Sequence, residues 1–354
     1  MPWKDKFKQL RNEVEGFISP GQQQQQQQPY PGQYQPQQGY YHQQQYPYQQ
    51  QQHQQYHAPP PGPPPQGFYG PGQQQQQGPP PPVPPHPAQD QPPPIPPHPP
   101  QVHWQPKFST DVPISEEWDA KLGNADGWGN QELQFYTADS QNAFHTPDGK
   151  LVLRALANSS APPEQKYTSA RLVSKKPLGQ DRGVLTATIL SPCAEGIWPA
   201  FWLLPKEPFS WPTDGEIDIA ETWNGDHENH TCLHWGQHHE PQKHRVLGTK
   251  IPDMHARPVT YEFAWDERGR MIWYIDGRPI MKGQMPEGTR PLREMTVLLN
   301  IAMGGNVCGG KTPRDGWYDM VVFVMKVGGE LDHGGWGRFE ADWGHGGVGW
   351  GNTY

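Results

Sequence analysis

Three acidic residues, Glu216, Asp218 and Glu221, lie within the short run Glu-Ile-Asp-Ile-Ala-Glu. If this run is a β-strand, its side chains alternate between two faces, so Glu216 and Asp218 share one face and the isoleucines share the other. Regular alternation would turn Glu221 towards the apolar side, where a lone carboxylate is costly. We therefore predict a β-bulge near Ile219 and Ala220 that returns Glu221 to the acidic face.

Three carboxylates on one face cannot all stay ionised cheaply, so at least one of them must have a raised pKa. One ionised and one protonated carboxyl group is the pair that glycoside hydrolysis requires. Glu216 and Glu221, leaning towards each other, would reach the ~5–5.5 Å separation of a retaining enzyme, with Asp218 bonding the nucleophile. The alternatives are an acidic surface strand or a calcium site, and the isoleucines in a tryptophan-dense region favour catalysis.

The elements that must position these acids are short strands. From Trp104 onward, runs of β-branched and aromatic residues alternate with turn signals, and no long helical period intervenes. This pattern predicts an all-β sandwich. Hairpin turns are expected at residues 148–149, 266–269 and 276–277. The predicted strands are 132–137, 151–155, 170–174, 184–190, 271–275 and 321–325.

The chain has 354 residues, and its composition divides it into four segments. The apolar spacing in residues 1–19 predicts a short amphipathic segment that contacts a membrane surface or a partner protein. The alternative is a frayed segment, because an isolated helix this short is marginal in water. Residues 20–106 are rich in Gln, Tyr and Pro and predict a disordered region, either a solvated spacer or a self-associating scaffold. Residues 107–327 form the β-domain, and residues 328–354 are a Gly/Trp-rich tail of unassigned order.

Charge and hydropathy exclude several classes of function. The net charge is −8 and the β-domain has no basic stripe, which argues against a nucleic-acid partner. No run of about 18 apolar residues exists, so no transmembrane span is expected. The N-terminus lacks the apolar core of a secretory signal, so we expect a cytoplasmic protein or export by an unconventional route.

The chain has three cysteines, Cys193, Cys232 and Cys308. They are widely spaced and include no C-x-x-C pair, which argues against a zinc motif or a disulfide framework. The spacing leaves open whether one disulfide and one free thiol are present or three reduced thiols.

Several ordered motifs resemble glycoside hydrolase family 16, in particular the laminarinase-like β-1,3-glucanases. The acidic run matches the family's E-x-D-x-x-E motif. Four further segments between residues 108 and 327 are similar to family motifs: Gly-Trp-Gly-Asn-Gln-Glu-Leu-Gln-Phe-Tyr-Thr from Gly127, Tyr-Thr-Ser-Ala-Arg from Tyr167, Gly-Ile-Trp-Pro-Ala-Phe-Trp from Gly196, and Leu-Leu-Asn-Ile-Ala-Met-Gly-Gly-Asn from Leu298.

The resemblance implies a concanavalin A-like β-jelly-roll sandwich over residues 107–327, with Glu216 as nucleophile, Asp218 as its assistant and Glu221 as acid/base. It implies a retaining endo-β-glucanase that hydrolyses β-1,3 or mixed β-1,3/1,4 glucan without a cofactor. A structural calcium occurs in some relatives, and no metal site is assigned here. A transglycosylase and a non-catalytic glucan-binding recognition protein are the alternatives.

Candidate substrate-binding residues follow from the shape of a glucan chain, which presents apolar C–H faces and equatorial hydroxyls. Trp198, Trp202 and Trp211 flank the acidic run and are predicted to supply flat platforms. The resemblance adds four cleft residues: Asn130, Arg171, His234 and Trp235.

Overall fold

The structure, a computed structural model, describes residues 101–240 and 242–353. The predicted amphipathic segment 1–19 and the predicted disordered region up to residue 100 lie outside this range. Numbered in chain order, the first nine strands are β1 (Val102–Trp104), β2 (Trp118–Lys121), β3 (Phe135–Tyr136), β4 (Ala143–His145), β5 (Leu151–Ala157), β6 (Tyr167–Ser169), β7 (Arg171–Ser174), β8 (Gly183–Leu190) and β9 (Ile197–Pro205). The remaining strands are β10 (Glu216–Glu221), β11 (Glu228–His234), β12 (His244–Lys250), β13 (Val259–Trp265), β14 (Arg270–Ile275), β15 (Arg278–Gln284), β16 (Met295–Met303) and β17 (Gly316–Gly328).

The strands form two sheets that pack face to face. The ten-stranded sheet has the order β15-β14-β13-β8-β17-β5-β6-β3, with β1 beside β17 and β4 beside β5. The seven-stranded sheet has the order β12-β11-β10-β9-β16-β7-β2. All pairings between named strands are antiparallel except that of β3 with β6. This arrangement confirms the predicted all-β jelly-roll sandwich.

The predicted hairpin turns are confirmed, because residues 148–149 join β4 to β5, residues 266–269 join β13 to β14, and residues 276–277 join β14 to β15. Five of the six predicted strands coincide with observed ones. The exception is 132–137, where only Phe135–Tyr136 is a strand. The preceding residues form isolated contacts instead, such as the bridge between Glu132 and Gly304.

The folded domain begins earlier than predicted. Strand β1 pairs with the end of β17, and Trp104 is buried with its indole Nε1 donating to Glu117 Oε2 at 3.0 Å. Residues 102–106 therefore belong to the sandwich, and the predicted boundary before Lys107 is corrected. Proline and histidine neighbours hide this strand in the sequence, since its apolar run is too short to stand out.

The core lies between the sheets and is filled by aromatic and aliphatic side chains from both, including Phe201, Ile217, Phe263 and Trp273. Burying each of these side chains stabilises the fold by about 1.5–3 kcal/mol. Trp273, on β14, also donates its indole N–H to the backbone carbonyl of Asp218 at 3.1 Å. This bond ties the acidic strand β10 to the opposite sheet.

The C-terminal tail is ordered over its described residues. It contains helix α1 (Gly335–Gly344), whose Phe339 is buried against Val184, Ala264 and Ile272 on the outer face of the ten-stranded sheet. After the helix, Gly349 bridges to Met281 on β15 and Asn352 bridges to Val246 on β12. Since β15 and β12 are the end strands in the two sheet orders, the tail closes one side of the sandwich.

Four short 3₁₀ elements complete the regular structure of the described residues: Ile114–Glu116, Ala125–Gly129, Pro163–Gln165 and Leu292–Glu294. The second of them is interrupted by residues in the left-handed region. Among these residues, no helix has the length and apolar character needed to cross a membrane.

Candidate active site

The acidic strand β10 contains the predicted bulge. Asp218 pairs with Cys232 of β11 and Glu221 pairs with His230, so β10 has one extra residue between the two pairs. The register against β9 shifts at the same place. The side chains of both intervening residues pack in the core. Glu221 is thereby returned to the outer face of the seven-stranded sheet that carries Asp218 and Glu216, which confirms the geometric prediction.

Both carboxylate oxygens of Glu221 accept hydrogen bonds from indoles. Trp198 Nε1 donates to Oε1 at 3.0 Å and Trp223 Nε1 donates to Oε2 at 3.0 Å. The Trp223 ring stacks on His230 at 3.6 Å between centroids, and His230 Nε2 lies 2.8 Å from Asp226 Oδ2. Glu221 is therefore held in one orientation by neutral donors, one of which is supported by a further layer of side chains.

Glu216 has different neighbours. Trp211 Nε1 donates to Glu216 Oε2 at 2.7 Å, while 45% of the Trp211 residue surface remains exposed. The Trp211 ring also contacts His238, with centroids 5.2 Å apart. An exposed indole face beside a carboxylate is the arrangement expected of a sugar platform.

Asp218 lies between the two glutamates and is 2% exposed. Its Oδ2 is 3.3 Å from Nε2 of His234, which lies opposite Glu216 on β11. Burial disfavours the His234 imidazolium, but the bond to Asp218 and the charges of Glu216 and Asp218 outweigh burial and raise the pKa of His234. A cation beside Glu216 and Asp218 is thereby favoured.

Burial and then the charge of Asp218 raise the pKa of both Glu216 and Glu221. The opposing influences differ at the two ends. His234 and Arg171 offset the rise at Glu216 with positive charge, together with the Trp211 N–H, whereas only indole N–H groups offset it at Glu221. The pKa of Glu216 still rises to about 8, but its cationic neighbours make Glu216 the more readily ionised of the two glutamates and leave Glu221 the one that keeps its proton.

Arg171 lies across the sheet from these acids. Its guanidinium is between the rings of Trp128 and Trp202, at 4.5 and 4.8 Å from their centroids. Trp128 follows Gly127, which has φ +78°, and a Cβ at this glycine would lie 3.0 Å from the backbone N of Glu132. The Gly127 position therefore suits glycine alone, and the turn built around it presents Trp128 to Arg171.

A polar layer supports the aromatic residues. Trp202 Nε1 donates to Asn300 Oδ1 at 2.7 Å, and Asn300 Nδ2 donates to the Tyr136 hydroxyl at 3.1 Å. Asn130 Nδ2 donates to Glu132 Oε1 at 3.3 Å. Burial raises the pKa of Glu132 to about 7, opposed by Gln134 and Arg171. Asn130 therefore lies beside Glu132 and the Arg171 cluster, not beside the three carboxylates.

The structure thus brings together most of the candidate residues, and one lies apart. Trp235 follows β11, packs against the core and stacks with Arg245, whose guanidinium is 5.3 Å from its ring centroid. It lines a separate cavity of about 490 Å³ together with Leu233, Met281 and Trp350. Side-chain alternation explains this, because Trp235 is two residues from the core-facing Leu233 and one from the outward-facing His234.

Sequence reasoning missed three contributors to the site: Glu132, Trp223 and His230. The sequence did contain signals for two of them. Glu132 is part of the Gly-Trp-Gly-Asn-Gln-Glu motif, and Trp223 follows Glu221 by two positions. His230 had a weaker signal, its i, i+4 spacing from His234 on a strand, which places both on one face.

Two groups of side chains in the described residues have ligand atoms within 4.8 Å of one another and could hold a metal ion. They are Asp218 with Cys232 and His234, and Asp226 with Glu228 and His230. Cys193, Cys232 and Cys308 form no disulfide, so the structure favours three thiols.

Comparison with known proteins places this geometry in a family. Residues 130–257 match the family profile described as the XgeA-like, catalytic GH16 domain. A glucan endo-1,3-beta-glucosidase A1 from Niallia circulans is 30% identical over 60% of this chain and 35% of its own length. A glucan endo-1,3-beta-glucosidase from Cryptopygus antarcticus is 30% identical over 61% of this chain and 86% of its own length.

Solved structures of laminarinases have a similar fold. The laminarinase from Rhodothermus marinus has a TM-score of 0.56 and 27% identity, covering 64% of this chain and 96% of its own. The match reaches only about a third of the Niallia protein, but it covers most of the Cryptopygus and Rhodothermus proteins, so it corresponds to a whole catalytic domain. On this sequence match, fold and ordered set of motifs, the chain belongs to glycoside hydrolase family 16.

Proposed function

We propose that the protein is a retaining endo-β-glucanase that hydrolyses β-1,3 or mixed β-1,3/1,4 glucan by double displacement. The observation that carries this proposal is the bulge in β10, which puts Glu216, Asp218 and Glu221 on one face with unlike neighbours. The relatives from Niallia and Cryptopygus are named as endo-1,3-beta-glucosidases, which favours β-1,3 linkages.

In the first step, Glu216 attacks the anomeric carbon while Glu221 donates its proton to the departing glycosidic oxygen. The C–O bond to the leaving sugar breaks as the ester bond to Glu216 forms. Forming the ester removes the negative charge of Glu216, which lowers the pKa of Glu221. Glu221 can then accept a proton from the water that attacks the same carbon, and the β-configuration is restored.

The neighbouring side chains supply positioning. Two indole N–H groups orient Glu221, and the Trp211 N–H orients Glu216. Asp218 places a carboxylate between the two glutamates, and the neighbouring His234 offsets its charge. Trp198, Trp202 and Trp211 offer apolar faces to sugar rings, and Arg171 offers planar N–H donors to hydroxyls.

The test is hydrolysis of purified laminarin and a mixed β-1,3/1,4 glucan, followed by proton NMR of the first product. The β-anomer should appear before mutarotation, and internal cleavage should produce oligosaccharides of mixed length. Glu216→Gln should abolish turnover while its circular dichroism spectrum is unchanged. An α-anomer as first product, or full activity in Glu216→Gln, would refute the mechanism. Products longer than the starting oligosaccharide would instead identify a transglycosylase.

A further inference from the structure

A cysteine lies among the catalytic carboxylates, on the outward face of β11. Cys232 pairs with Asp218 across the strands, and His234 is two residues further along the same face. The Cys232 sulfur, a ring nitrogen of His234 and a carboxylate oxygen of Asp218 all lie within 4.8 Å of one another. Sequence spacing alone did not indicate this group, because the two strands that form it are joined by a loop and the ligands are of three types.

One atom of this group lacks a partner. Asp218 is 98% buried, given its 2% exposure, and its Oδ1 has no hydrogen-bond partner among the described residues. A buried carboxylate oxygen without a donor is costly, and most such oxygens in folded proteins are satisfied. A cation bound between Asp218, Cys232 and His234 would satisfy it.

The donor types select the ion. Thiolate, imidazole and carboxylate ligands together suit Zn²⁺ and the softer Cd²⁺, whereas Ca²⁺ and Mg²⁺ prefer oxygen ligands alone. The carboxylates of β10 add negative charge around the site. The His234 side chain is 23% exposed, so an ion can enter from the same side as the substrate.

We propose that Asp218, Cys232 and His234 form an inhibitory binding site for Zn²⁺ or a similar soft divalent cation. On binding, the S–H bond of Cys232 breaks, the proton passes to solvent, and the sulfur bonds to the metal in place of a metal-bound water. The metal takes up the charge of Asp218 and places its own positive charge beside Glu216. The nucleophile is thereby weakened and the cleft obstructed.

The binding experiment uses the full chain and Cd²⁺ alone, because a Cd²⁺–thiolate bond has an ultraviolet charge-transfer band that imidazole and carboxylate ligands lack. The band should saturate at one equivalent in the wild type and be lost in Cys232→Ser. Cys193→Ser is the matched control, since Cys193 is a free, part-buried thiol outside this group, and it should keep the band. No band in the wild type, or an undiminished band in Cys232→Ser, would overturn the site.

The inhibition experiment rests on the proposed glucanase activity. Each variant is compared with its own metal-free rate on laminarin, so that changes in basal rate cancel. Cys232→Ser should require at least about tenfold more Zn²⁺ than the wild type for half inhibition, and Cys193→Ser should match the wild type. Equal sensitivity of all three proteins would refute inhibition through this site. If laminarin is not hydrolysed, the proposed function fails, while the Cd²⁺ band still tests the site.

Discussion

The two ends of strand β10 carry the same side chain in different surroundings. Glu216 has one indole donor, two nearby cationic groups and an exposed tryptophan. Glu221 has neutral indole donors on both oxygens, and its charged neighbours, Asp218 and Glu216, are acidic. The groups around these two identical residues, five positions apart, therefore make Glu216 ionise more readily than Glu221. Positive charge, more than burial, therefore separates the nucleophile from the acid in this site.

The strongest test of this comparison replaces each glutamate in turn. Glu216→Ala and Glu221→Ala should each lower glucan hydrolysis by about 10⁴-fold or more, because each residue acts in both steps. With an activated aryl β-glucoside oligosaccharide, azide should restore turnover in both variants with opposite stereochemistry. Azide in the place of Glu216 should give the α-azide, and azide in the place of water in Glu221→Ala should give the β-azide. NMR of the products decides, and exchanged anomers would reverse the two roles.

A second test removes the charge between the two ends. In Asp218→Asn, the pKa of both glutamates should fall, because the charge of Asp218 raises both in the wild type. Glu216 must be ionised and Glu221 protonated, so both limbs of the kcat/KM profile should move to lower pH. A hydrogen bond to a charged group contributes about 1.5–3 kcal/mol. Its loss should therefore lower kcat/KM by about 10- to 150-fold. Unmoved limbs would show that Asp218 does not act electrostatically.

Matched indole substitutions separate the two ends. Trp211→Phe removes the donor that lowers the pKa of Glu216, so the acid limb should move to higher pH and the active range should narrow. Trp223→Phe removes a donor that lowers the pKa of Glu221, so the alkaline limb should move to higher pH and the range should widen. Each rate should fall about tenfold or less. Movement of the same limb in both variants would contradict the comparison.

The smallest loss of activity is expected from a substitution at Asp226, which contacts the His230 ring stacked on Trp223. Asp226→Asn keeps a group that can bond His230 but removes the charge 2.8 Å from its Nε2. Because Asp226 contacts His230, which stacks on the Trp223 ring that bonds Glu221, its effect reaches the acid through two side chains, and we expect kcat/KM to fall by about threefold at most. Stopped assays at the optimum pH would measure this. A loss comparable to that of Trp223→Phe would mean that Asp226 contributes to the charge of the site itself.

The sequence predicted the parts of the site that depend on local periodicity. Alternation along β10, together with the cost of burying Glu221, was enough to predict the bulge. The hairpins were predictable because Asp-Gly and related pairs favour tight turns. The family motifs then indicated Arg171 and Asn130, and proximity to the acidic run indicated Trp198, Trp202 and Trp211.

The parts that failed depend on contacts distant in sequence. Strand β1 is three residues long and is stabilised by pairing with β17, so local composition could not reveal it. The resemblance proposed both His234 and Trp235 as cleft residues, but adjacent strand residues face opposite ways, and Trp235 packs against the core. The Asp218–Cys232–His234 group required the register of β10 against β11, which no spacing within one strand contains.

The C-terminal tail has a consequence for association between copies. The end strand of a sheet presents unpaired backbone N–H and C=O groups to which a strand of another molecule can add. Here Gly349 and Asn352 occupy positions on β15 and β12, the end strands of the two sheets on one side of the sandwich. The Gly/Trp-rich tail therefore satisfies backbone groups at one position on each of these edges, which leaves fewer of them for a strand of a second molecule.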